Sequence, residues 1–384
     1  MRIGVIGYGL RATLLEHCPP GSVVAAHDPR PERVPPGVAA CGSVAELLGH
    51  RLDAVFVLSP DHLHAEHATA VLEAGAAAYV EKPLALTAED ADRVLDTARR
   101  TGARLYVGHN MRHMPVVLAM RALIADGAVG AVRAVWCRHF VGHGGDFYFK
   151  DWHAERAKSG GLLLQKGAHD IDVIHWLAGG YTRRVTAMGA LTVYGGLGDR
   201  GGTGYLAGHD IDAYLANWPP SAHTGLNPVV DVEDLSMATL ALDNGVFATY
   251  AQCHYTPDYW RNYTVIGDAG RLENLGDGPG AEVRVWNRRH RSHGTPDHVV
   301  RVGGAEGGHG GADAAIVAEF LDHVRTGAPT LTSPVAAREA VATAVAATES
   351  VRAGGALVHV RGADEGIIAH FSLDRGSSGR AVGG

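Results

Sequence analysis

The chain has 384 residues, of which 46% are hydrophobic, so it is long and apolar enough to bury the cores of two domains of ordinary size. Its formal net charge is −7 and no block of basic residues stands out, which argues against a nucleic-acid-binding protein. The four cysteines, Cys18, Cys41, Cys137 and Cys253, show no CxxC spacing, and no apolar run approaches the roughly 20 residues of a membrane helix. Because Met1–Ile6 leads directly into an apolar strand, we expect no signal peptide and a cytoplasmic protein.

The first third of the chain alternates short apolar runs with helical patterns. The predicted strands are Arg2–Gly7, Ser22–Asp28, Asp53–Ser59, Ala78–Glu81 and Arg104–Gly108. The predicted helices between them are Leu10–His17, His64–Ala74 and Thr87–Thr101, the last with Thr87 as its N-cap. Repeated strand–helix units predict an α/β fold with a doubly wound parallel sheet of the Rossmann type.

The pattern changes after about Gly130, where longer strands alternate apolar and polar residues. This alternation predicts an α+β domain with an open, mainly antiparallel sheet that is covered on one face. The predicted strands are Ala131–Phe140, Arg184–Tyr194, Leu235–Asp243, Gly245–Cys253 and Tyr263–Gly267. The other predicted elements are helices at Gly167–Leu177, Ala312–Thr326 and Pro334–Ala353, and glycine-rich loops at Gly195–Gly208 and Gly303–Gly311.

These patterns divide the chain into three segments. Residues 1–125 are predicted to form a dinucleotide-binding domain of the Rossmann type. Residues 126–356 are predicted to form a domain for substrate binding and oligomerisation. Residues 357–384 are predicted to be a C-terminal strand and a mobile tail, because the sequence after Asp374 is polar and rich in glycine.

The dinucleotide motif is Gly7-Tyr8-Gly9-Leu10-Arg11-Ala12, which follows the first strand and opens a helix. Gly7 permits a tight turn, Gly9 lets the backbone approach a pyrophosphate, and Ala12 keeps the helix close to the strand. The helix N-terminus supplies amide donors for the phosphates. A short glycine motif alone also fits an ordinary turn, but this one has an acid about 20 residues downstream, where the ribose-binding carboxylate is expected.

That acid is Asp28, at the end of the second predicted strand. A carboxylate there accepts hydrogen bonds from the ribose hydroxyls and repels a 2′-phosphate, so we expect NAD rather than NADP as the cofactor. Arg30 and Arg33 follow closely and are able to bind a 2′-phosphate, although solvated loop charges are the simpler explanation for them.

Four further motifs occur in a fixed order along the chain. They are Pro60-Asp61-His62-Leu63-His64, Glu81-Lys82-Pro83-Leu84, Gly108-His109-Asn110-Met111-Arg112, and Gly160-Gly161 followed by His169-Asp170-Ile171-Asp172. Together they resemble the glucose–fructose oxidoreductase / inositol dehydrogenase / MocA family, from residue 1 to about residue 356. The resemblance implies a Rossmann domain followed by an α/β domain with an open sheet that carries the substrate. It implies no particular substrate.

The resemblance also implies which residues lie at the cofactor and at the reacting carbon. Ser59, Pro60, His64 and Glu81 are expected beside the cofactor, together with Lys82. Lys82 follows a buried strand at the edge where ligands of parallel sheets bind, and Pro83 restricts its backbone. A lysine there is able to hydrogen-bond the reacting hydroxyl and stabilise charge on its oxygen.

His169 is the candidate proton acceptor, and Asp172 lies three residues on, on the same helical face. A histidine is able to take the alcohol proton during oxidation and return it during reduction. Asp172 is expected to orient the imidazole or to bind substrate hydroxyls. A buried histidine that a carboxylate merely satisfies is the alternative.

The sequence departs from the family pattern at one position. Inositol dehydrogenase-like members carry an aspartate four residues before the histidine, as part of a Lys–Asp–His relay, whereas this chain has Gln165 there and the additional cation Lys166. An amide cannot serve as a base at neutral pH. Either His169 works without the carboxylate, or Lys166 takes part in substrate binding or proton transfer.

Aromatic residues precede and follow this segment. Tyr148 and Trp152 lie in the stretch 143–153, whose mix of aromatic and polar residues suits stacking on a sugar ring, although an ordinary edge loop has the same composition. The tyrosines of the stretch 252–261 are open to the same two interpretations. His62, His64 and His67 are closely spaced, but no cysteine or repeated carboxylate completes a zinc site, so we expect no metal.

The sequence leaves three functions open. The first is an NAD(H)-dependent oxidoreductase acting on a secondary alcohol of a sugar, glycoside or cyclitol. The second is a glycosidase that uses bound NAD for transient oxidation at C3, elimination and water addition. A non-catalytic dinucleotide sensor is the third, disfavoured because Lys82 and His169 are both present. A homodimer or homotetramer is expected in each case, because the open sheet face needs cover.

Overall fold

The computed structural model describes residues 1–202, 215, 217–290, 293–303 and 311–373. The chain forms two compact units that interleave along the sequence. The first unit comprises residues 1–113, 307–341 and 363–384, and the second comprises residues 114–306 and 342–362. The domain boundaries predicted at residues 125 and 356 remain a prediction. They divide the chain according to the role expected of each segment. No helix of the described residues has the length and apolar character needed to cross a membrane.

The first unit contains a parallel sheet of six strands in the order β3-β2-β1-β4-β5-β6. Its strands are β1 (Ile3–Ile6), β2 (Val23–His27), β3 (Ala39–Ala40), β4 (Ala54–Val57), β5 (Ala77–Val80) and β6 (Leu105–Val107). Every residue of β1, β4, β5 and β6 is buried, as in parallel sheets that are covered on both faces. The strand order reverses between β1 and β4, so this edge is the switch point at which dinucleotides bind in such sheets. The predicted Rossmann architecture is confirmed.

The second unit contains a mixed sheet of nine strands in the order β14-β13-β12-β11-β7-β10-β9-β8-β15. All neighbours are antiparallel except β7 and β10. The strands are β7 (Val132–Phe140), β8 (Thr182–Ala190), β9 (Leu235–Leu242), β10 (Phe247–Cys253), β11 (Trp260–Gly267), β12 (Arg271–Leu275), β13 (Glu282–Trp286), β14 (His298–Arg301) and β15 (Val358–His359). Buried and exposed residues alternate along β7 to β9, so the sheet is covered on one face, as predicted.

The described α-helices are α1 (Val44–Leu48), α2 (His64–Glu73), α3 (Ala88–Thr101), α4 (Pro115–Ala125), α5 (Gly144–Tyr148), α6 (Arg156–Ser159), α7 (Leu162–Gln165), α8 (Gly167–Ala178), α9 (Ala312–Thr326), α10 (Pro334–Arg352) and α11 (Glu365–Leu373). Local chemistry fixes some of their ends. Thr87 accepts a hydrogen bond from the Asp90 amide at the start of α3, and Gly102 ends α3 with φ 70°. In the second unit, α8 packs against β7 and β10.

Helix α9 completes the core of the first unit although it follows the sheet by some 200 residues. Ile316, Val317 and Phe320 belong to the buried cluster that contains Ile3 and Phe56. The ring of Phe320 meets that of Phe56 edge to face, with centroids 5.2 Å apart. A helix recruited from the C-terminal part therefore covers the Rossmann sheet.

Several elements differ from the prediction. Leu10–His17 is helical as predicted but has 3-10 geometry. The predicted loop around residues 143–153 contains α5 and a 3-10 turn at Trp152–Ala154. Helices α4 and α11 and strands β12 to β14 had not been predicted. Much of the predicted loops Gly195–Gly208 and Gly303–Gly311, and the tail after Asp374, lie outside the described residues.

Candidate active site

The glycine turn after β1 has the geometry that a dinucleotide requires. Gly7 has φ 89°, and a Cβ there would lie 2.8 Å from the backbone of Leu58 and Ser59, so no other residue fits. A Cβ on Gly9 would meet nothing nearer than Nη1 of Arg33, at 3.9 Å. The protein's own packing therefore leaves the space beside Gly9 open, as the approach of a pyrophosphate demands. Leu10, at the start of the following 3-10 helix, is exposed.

Asp28 is buried at the end of β2 and is fixed by two backbone amides. Tyr8 N donates to Asp28 Oδ2 at 2.7 Å, and Arg30 N donates to Asp28 Oδ1 at 2.8 Å. An ionised carboxylate has about four acceptor positions, so two remain for the hydroxyls of a ribose. The glycine turn and Asp28 thus lie in contact through the Tyr8 amide, and both fit NAD.

The side chains of Glu81 and Arg11 form an ion pair. Arg11 Nε donates to Glu81 Oε1 at 2.8 Å, and Arg11 Nη1 donates to Asp313 Oδ2 at 3.0 Å. Asn110 Nδ2 also donates to Asp313, at 2.7 Å. The second oxygen of Glu81 accepts a hydrogen bond from the backbone amide of Lys82, at 3.0 Å. The Glu81 carboxylate therefore ties the backbone of Lys82 to the helix that follows the glycine turn.

His64 contacts the backbone that follows β4 and the backbone that follows β5. Its Nδ1 lies 2.6 Å from the carbonyl oxygen of Pro83, and its Nε2 lies 2.7 Å from the carbonyl oxygen of Ser59. The ring is buried, and burial lowers its pKa. His64 thus links the ends of β4 and β5, where Ser59, Pro60 and Lys82 lie. All eleven residues predicted to bind the cofactor lie in the first unit.

In the second unit, two adjacent glycines set the direction of the chain into α7 and α8. Gly160 ends α6 with φ 72°, and Gly161 has φ 103°, so both occupy backbone regions that other residues rarely adopt. Gln165 ends α7, Lys166 follows it, and His169 and Asp172 lie one helical turn apart in α8. All four side chains are buried, so ionisable groups are concentrated in a dry region.

Aromatic rings extend this group of residues. The Nζ of Lys166 lies 5.9 Å from the ring centroid of Tyr148, and the Tyr148 ring contacts His153 edge to face. Trp152 stacks on His153 with centroids 3.8 Å apart. The structure thus brings Tyr148, Trp152 and Lys166 into one connected cluster, with Trp152 partly exposed and available for stacking on a ring.

The tyrosines of the stretch 252–261 are engaged elsewhere. Tyr259 donates to Asp277 at 2.6 Å and stacks on His143, and Thr192 donates to the hydroxyl of Tyr255 at 3.2 Å. In the described parts of the chain, no group of three or more His, Cys, Asp or Glu side chains is arranged to hold a metal ion.

Two other histidines of the second unit, His139 and His143, are poor proton acceptors. Burial, with the charge of Arg261, lowers the pKa of His139 to about 3, and burial, with the charge of Lys166, lowers the pKa of His143 to about 4. Groups with such low pKa values are weak bases at neutral pH. His139 and His143 are therefore poor candidates for the general base.

Sequence reasoning missed a buried polar cluster on the covered face of the sheet. It consists of Asp170 with His139, Tyr250, Arg261 and Tyr263. Polar residues at positions that the strand alternation assigns to the core, such as His139 and Tyr250, were the available signal. Their convergence on one carboxylate requires the three-dimensional pairing of β7, β10 and β11.

A glycine turn with an acid at the end of the second strand is the arrangement of an NAD-binding Rossmann domain, and the comparison with family models agrees. Residues 1–109 match the oxidoreductase family with an NAD-binding Rossmann fold, and residues 117–273 match the GFO/IDH/MocA C-terminal domain. The chain belongs to the Gfo/Idh/MocA family of NAD-binding oxidoreductases, which confirms the resemblance seen in its motifs.

Relatives and solved structures with related sequences or folds are mostly dehydrogenases. Protein YteT of Bacillus subtilis is 26% identical over 70% of this chain and 72% of its own length. An inositol 2-dehydrogenase of Klebsiella pneumoniae is 32% identical over 46% of this chain, and the match spans 54% of that enzyme. Levoglucosan dehydrogenase, solved with NADH and levoglucosan, superposes with a TM-score of 0.75 over 94% of this chain and 99% of its own, at 18% identity. This last likeness shows the fold alone.

Proposed function

We propose that the protein is an NAD(H)-dependent dehydrogenase or reductase that acts on a secondary alcohol of a sugar, glycoside or cyclitol. The observation that carries the proposal is the buried group at the start of α8, where His169 and Asp172 lie beside the cluster of Lys166, Tyr148 and Trp152. These side chains offer hydrogen bonds for the hydroxyls of a pyranose or cyclitol, and an aromatic ring for its apolar face. The inositol 2-dehydrogenase among the relatives acts on a compound of this class.

Each residue has a distinct task in this reaction. Bound NAD supplies the hydride acceptor. The turn Gly7–Ala12 and Asp28 hold the dinucleotide, and the backbone contacts of Glu81 and His64 fix the position of Lys82. Lys82 donates a hydrogen bond to the oxygen of the reacting carbinol and stabilises negative charge there. His169 accepts the hydroxyl proton during oxidation and returns it during reduction. Asp172, Lys166 and Gln165 orient the other hydroxyls.

A redox-neutral glycosidase is the second candidate, and the pair Gln165–Lys166 favours it. The relay carboxylate is replaced by an amide, and an additional cation lies in the buried group. In this reaction the C3 hydroxyl is oxidised, the C2 proton is lost and the aglycone leaves by elimination. Water then adds, and the hydride returns to C3. Lys166 would supply an ionisable group for the added proton steps.

A panel of compounds separates these functions. The purified protein with NAD is incubated with myo-inositol, D-glucose, levoglucosan and the 4-nitrophenyl α- and β-glucosides. Absorbance at the NADH band and release of 4-nitrophenol are followed in parallel. The dehydrogenase proposal expects NADH to form with a cyclitol or sugar. Nitrophenol release without NADH would favour the glycosidase, and no reaction with any compound in either direction would contradict both.

We also propose that the protein is a homodimer or homotetramer that covers the open face of the nine-stranded sheet. Large apolar side chains lie exposed on neighbouring strands of this face: Trp136 is 50% exposed, Met188 71%, Met237 55% and Phe247 59%. Met188 and Met237 are direct cross-strand partners, so the apolar surface is continuous there. Light scattering at low micromolar concentration tests this. A monomer of 40.3 kDa would contradict it, and a Met188→Asp/Phe247→Asp variant should dissociate the assembly.

A cytoplasmic location is proposed as well. All four cysteines are free, and Cys18, Cys41 and Cys137 are buried without a disulfide partner, which suits a reducing compartment. Fractionation of cells that produce the protein checks this, and recovery outside the cytoplasm would contradict it.

A further inference from the structure

One buried carboxylate next to the proposed base has no task in the proposed reaction. Asp170 directly follows His169 in the first turn of α8, and its side chain is fully buried. His139 Nδ1 lies 3.1 Å from Asp170 Oδ2, and Arg261 Nε lies 3.0 Å from Asp170 Oδ1. Tyr250 donates its hydroxyl proton to Oδ2 at 3.1 Å, and Tyr263 donates to Oδ1. The thiol of Cys137 also donates to Oδ1, at 3.8 Å, so five side chains converge on a single carboxylate.

The register of the sheet explains this convergence. Cys137 of β7 pairs with Tyr250 of β10 and with Tyr263 of β11. Two residues further along β7, His139 pairs with Gln252 and with Arg261. Cross-strand partners point to the same face of a sheet, so these residues form two adjacent rows on the covered face. Asp170 lies over both rows and joins α8 to three strands.

The charges in this group are fixed. Burial alone would raise the pKa of Asp170, but the Arg261 guanidinium and the hydrogen bonds from His139 and Tyr263 hold it well below its usual range. His139, with a pKa of about 3, is neutral. Asp170 and Arg261 therefore form an ion pair, and Arg261 reaches Asp277 with a second contact of 3.2 Å. Charge-assisted hydrogen bonds in a dry environment are strong and directional, so the first turn of α8 is unable to shift without breaking several of them.

We propose that Asp170 is a positioning residue that holds the first turn of α8 against the sheet and thereby fixes the imidazole of His169 for proton transfer. This inference rests on the proposed role of His169. Asp170 touches only side chains of the protein core, so it acts through the neighbouring histidine. Shifts of about 1 Å in a catalytic group cost about a hundredfold in rate, which makes rigid anchoring of this turn consequential.

The test compares wild type with Asp170→Asn, an isosteric change that removes the charge. Kinetics use the full chain with NAD and the compound of the panel that reacts fastest. We expect kcat to fall about a hundredfold while KM and the Kd for NAD stay near their wild-type values. The solvent deuterium isotope effect on kcat should rise, because proton transfer to a displaced His169 becomes rate-limiting. A folded Asp170→Asn variant with the wild-type kcat and isotope effect would overturn the proposal.

A matched control removes the effect of lost stability. Asp234 is another fully buried carboxylate of the same unit, but it accepts hydrogen bonds from the amides of Thr192, Val193 and Tyr194, none of which belongs to α8. Asp234→Asn should lower Tm yet keep the wild-type kcat and isotope effect, measured well below Tm. An equal loss of kcat in Asp234→Asn would reduce Asp170 to a structural residue.

A milder variant covers the case in which Asp170→Asn fails to fold. Tyr263→Phe removes one donor to Asp170 and should change kcat and the isotope effect in the same direction, by less. Unchanged values in Tyr263→Phe would then overturn the proposal. His169→Ala separates the two claims. If His169→Ala keeps wild-type turnover, the proposed role of His169 as the proton acceptor fails, and the positioning role of Asp170 fails with it. If His169→Ala is inactive while Asp170→Asn keeps full activity, the positioning role alone fails.

Discussion

The two units build their candidate sites in different ways. In the first unit, the residues that fit NAD lie at the ends of neighbouring parallel strands, and backbone groups do most of the fixing, as Gly7 and the two amides on Asp28 illustrate. In the second unit, His169 lies on a helix that side chains from three strands hold through Asp170. Substitution of a motif residue should therefore affect the first site locally, whereas the second site is sensitive to residues far from it in sequence.

The largest effects are expected for the two residues that we propose to touch the reacting carbinol. Lys82→Ala and His169→Ala should each lower kcat by about a hundred- to ten-thousandfold, because each removes a group that stabilises charge or moves a proton. Binding of NAD should stay largely intact, since the glycine turn and Asp28 are unchanged. Steady-state kinetics and calorimetric titration with NAD measure the two quantities.

Lys158→Ala is a matched control for the loss of a lysine. Lys158 is partly exposed and forms an ion pair with Glu155 at 2.9 Å, so its removal should leave kcat unchanged. Near-native rates in both Lys82→Ala and His169→Ala would mean that the reaction takes place elsewhere on the protein.

A smaller effect is expected at the ribose-binding acid. Asp28→Ala should weaken NAD binding by about ten- to a hundredfold, because hydrogen bonds to a charged group are worth about 1.5–3 kcal/mol. Its removal should also narrow the preference for NAD over NADP, because the repulsion of a 2′-phosphate disappears. Calorimetric titration of both cofactors measures this. Wild-type protein that binds NADP as tightly as NAD would show that Arg30 or Arg33 determines the preference instead.

The smallest effect is expected at the position where the family carries its relay aspartate. Gln165→Ala should lower kcat by less than about tenfold, because an amide positions a partner but transfers no proton at neutral pH. A loss as large as that of His169→Ala would assign Gln165 a much more direct part in the reaction. In that case the buried side chains around α8 would act together in the reaction. The difference between the candidate sites of the first and second units would then be larger.

The sequence predicted the first unit well because its signals are local. Continuous apolar runs mark strands buried on both faces, and the glycine motif followed by Asp28 determines a site from residues about 20 positions apart. The 3-10 geometry of Leu10–His17 and the contribution of α9 were not predictable in the same way. The contribution of α9 depends on packing against strands that are distant along the chain.

The second unit shows which structural features sequence patterns do not predict. Alternation predicted an open sheet, and the family motif predicted that His169 and Asp172 share a helix. Alternation does not tell which strands are neighbours, so it gave no reason to expect that His139 and Arg261 would lie side by side. The buried polar cluster around Asp170 could therefore not be predicted, although each of its residues can be read in the sequence.

The fate of hydrogen at the reacting and neighbouring carbons tests the central claim most directly. The wild-type protein is incubated in deuterated water with NAD and the fastest compound of the panel, and the products are analysed by NMR and mass spectrometry. A dehydrogenase gives NADH and a ketone in equal amounts, formed by direct hydride transfer from a carbinol carbon. Free sugar that carries deuterium at C2, formed without net NADH, would contradict the dehydrogenase and assign the protein to the redox-neutral glycosidases.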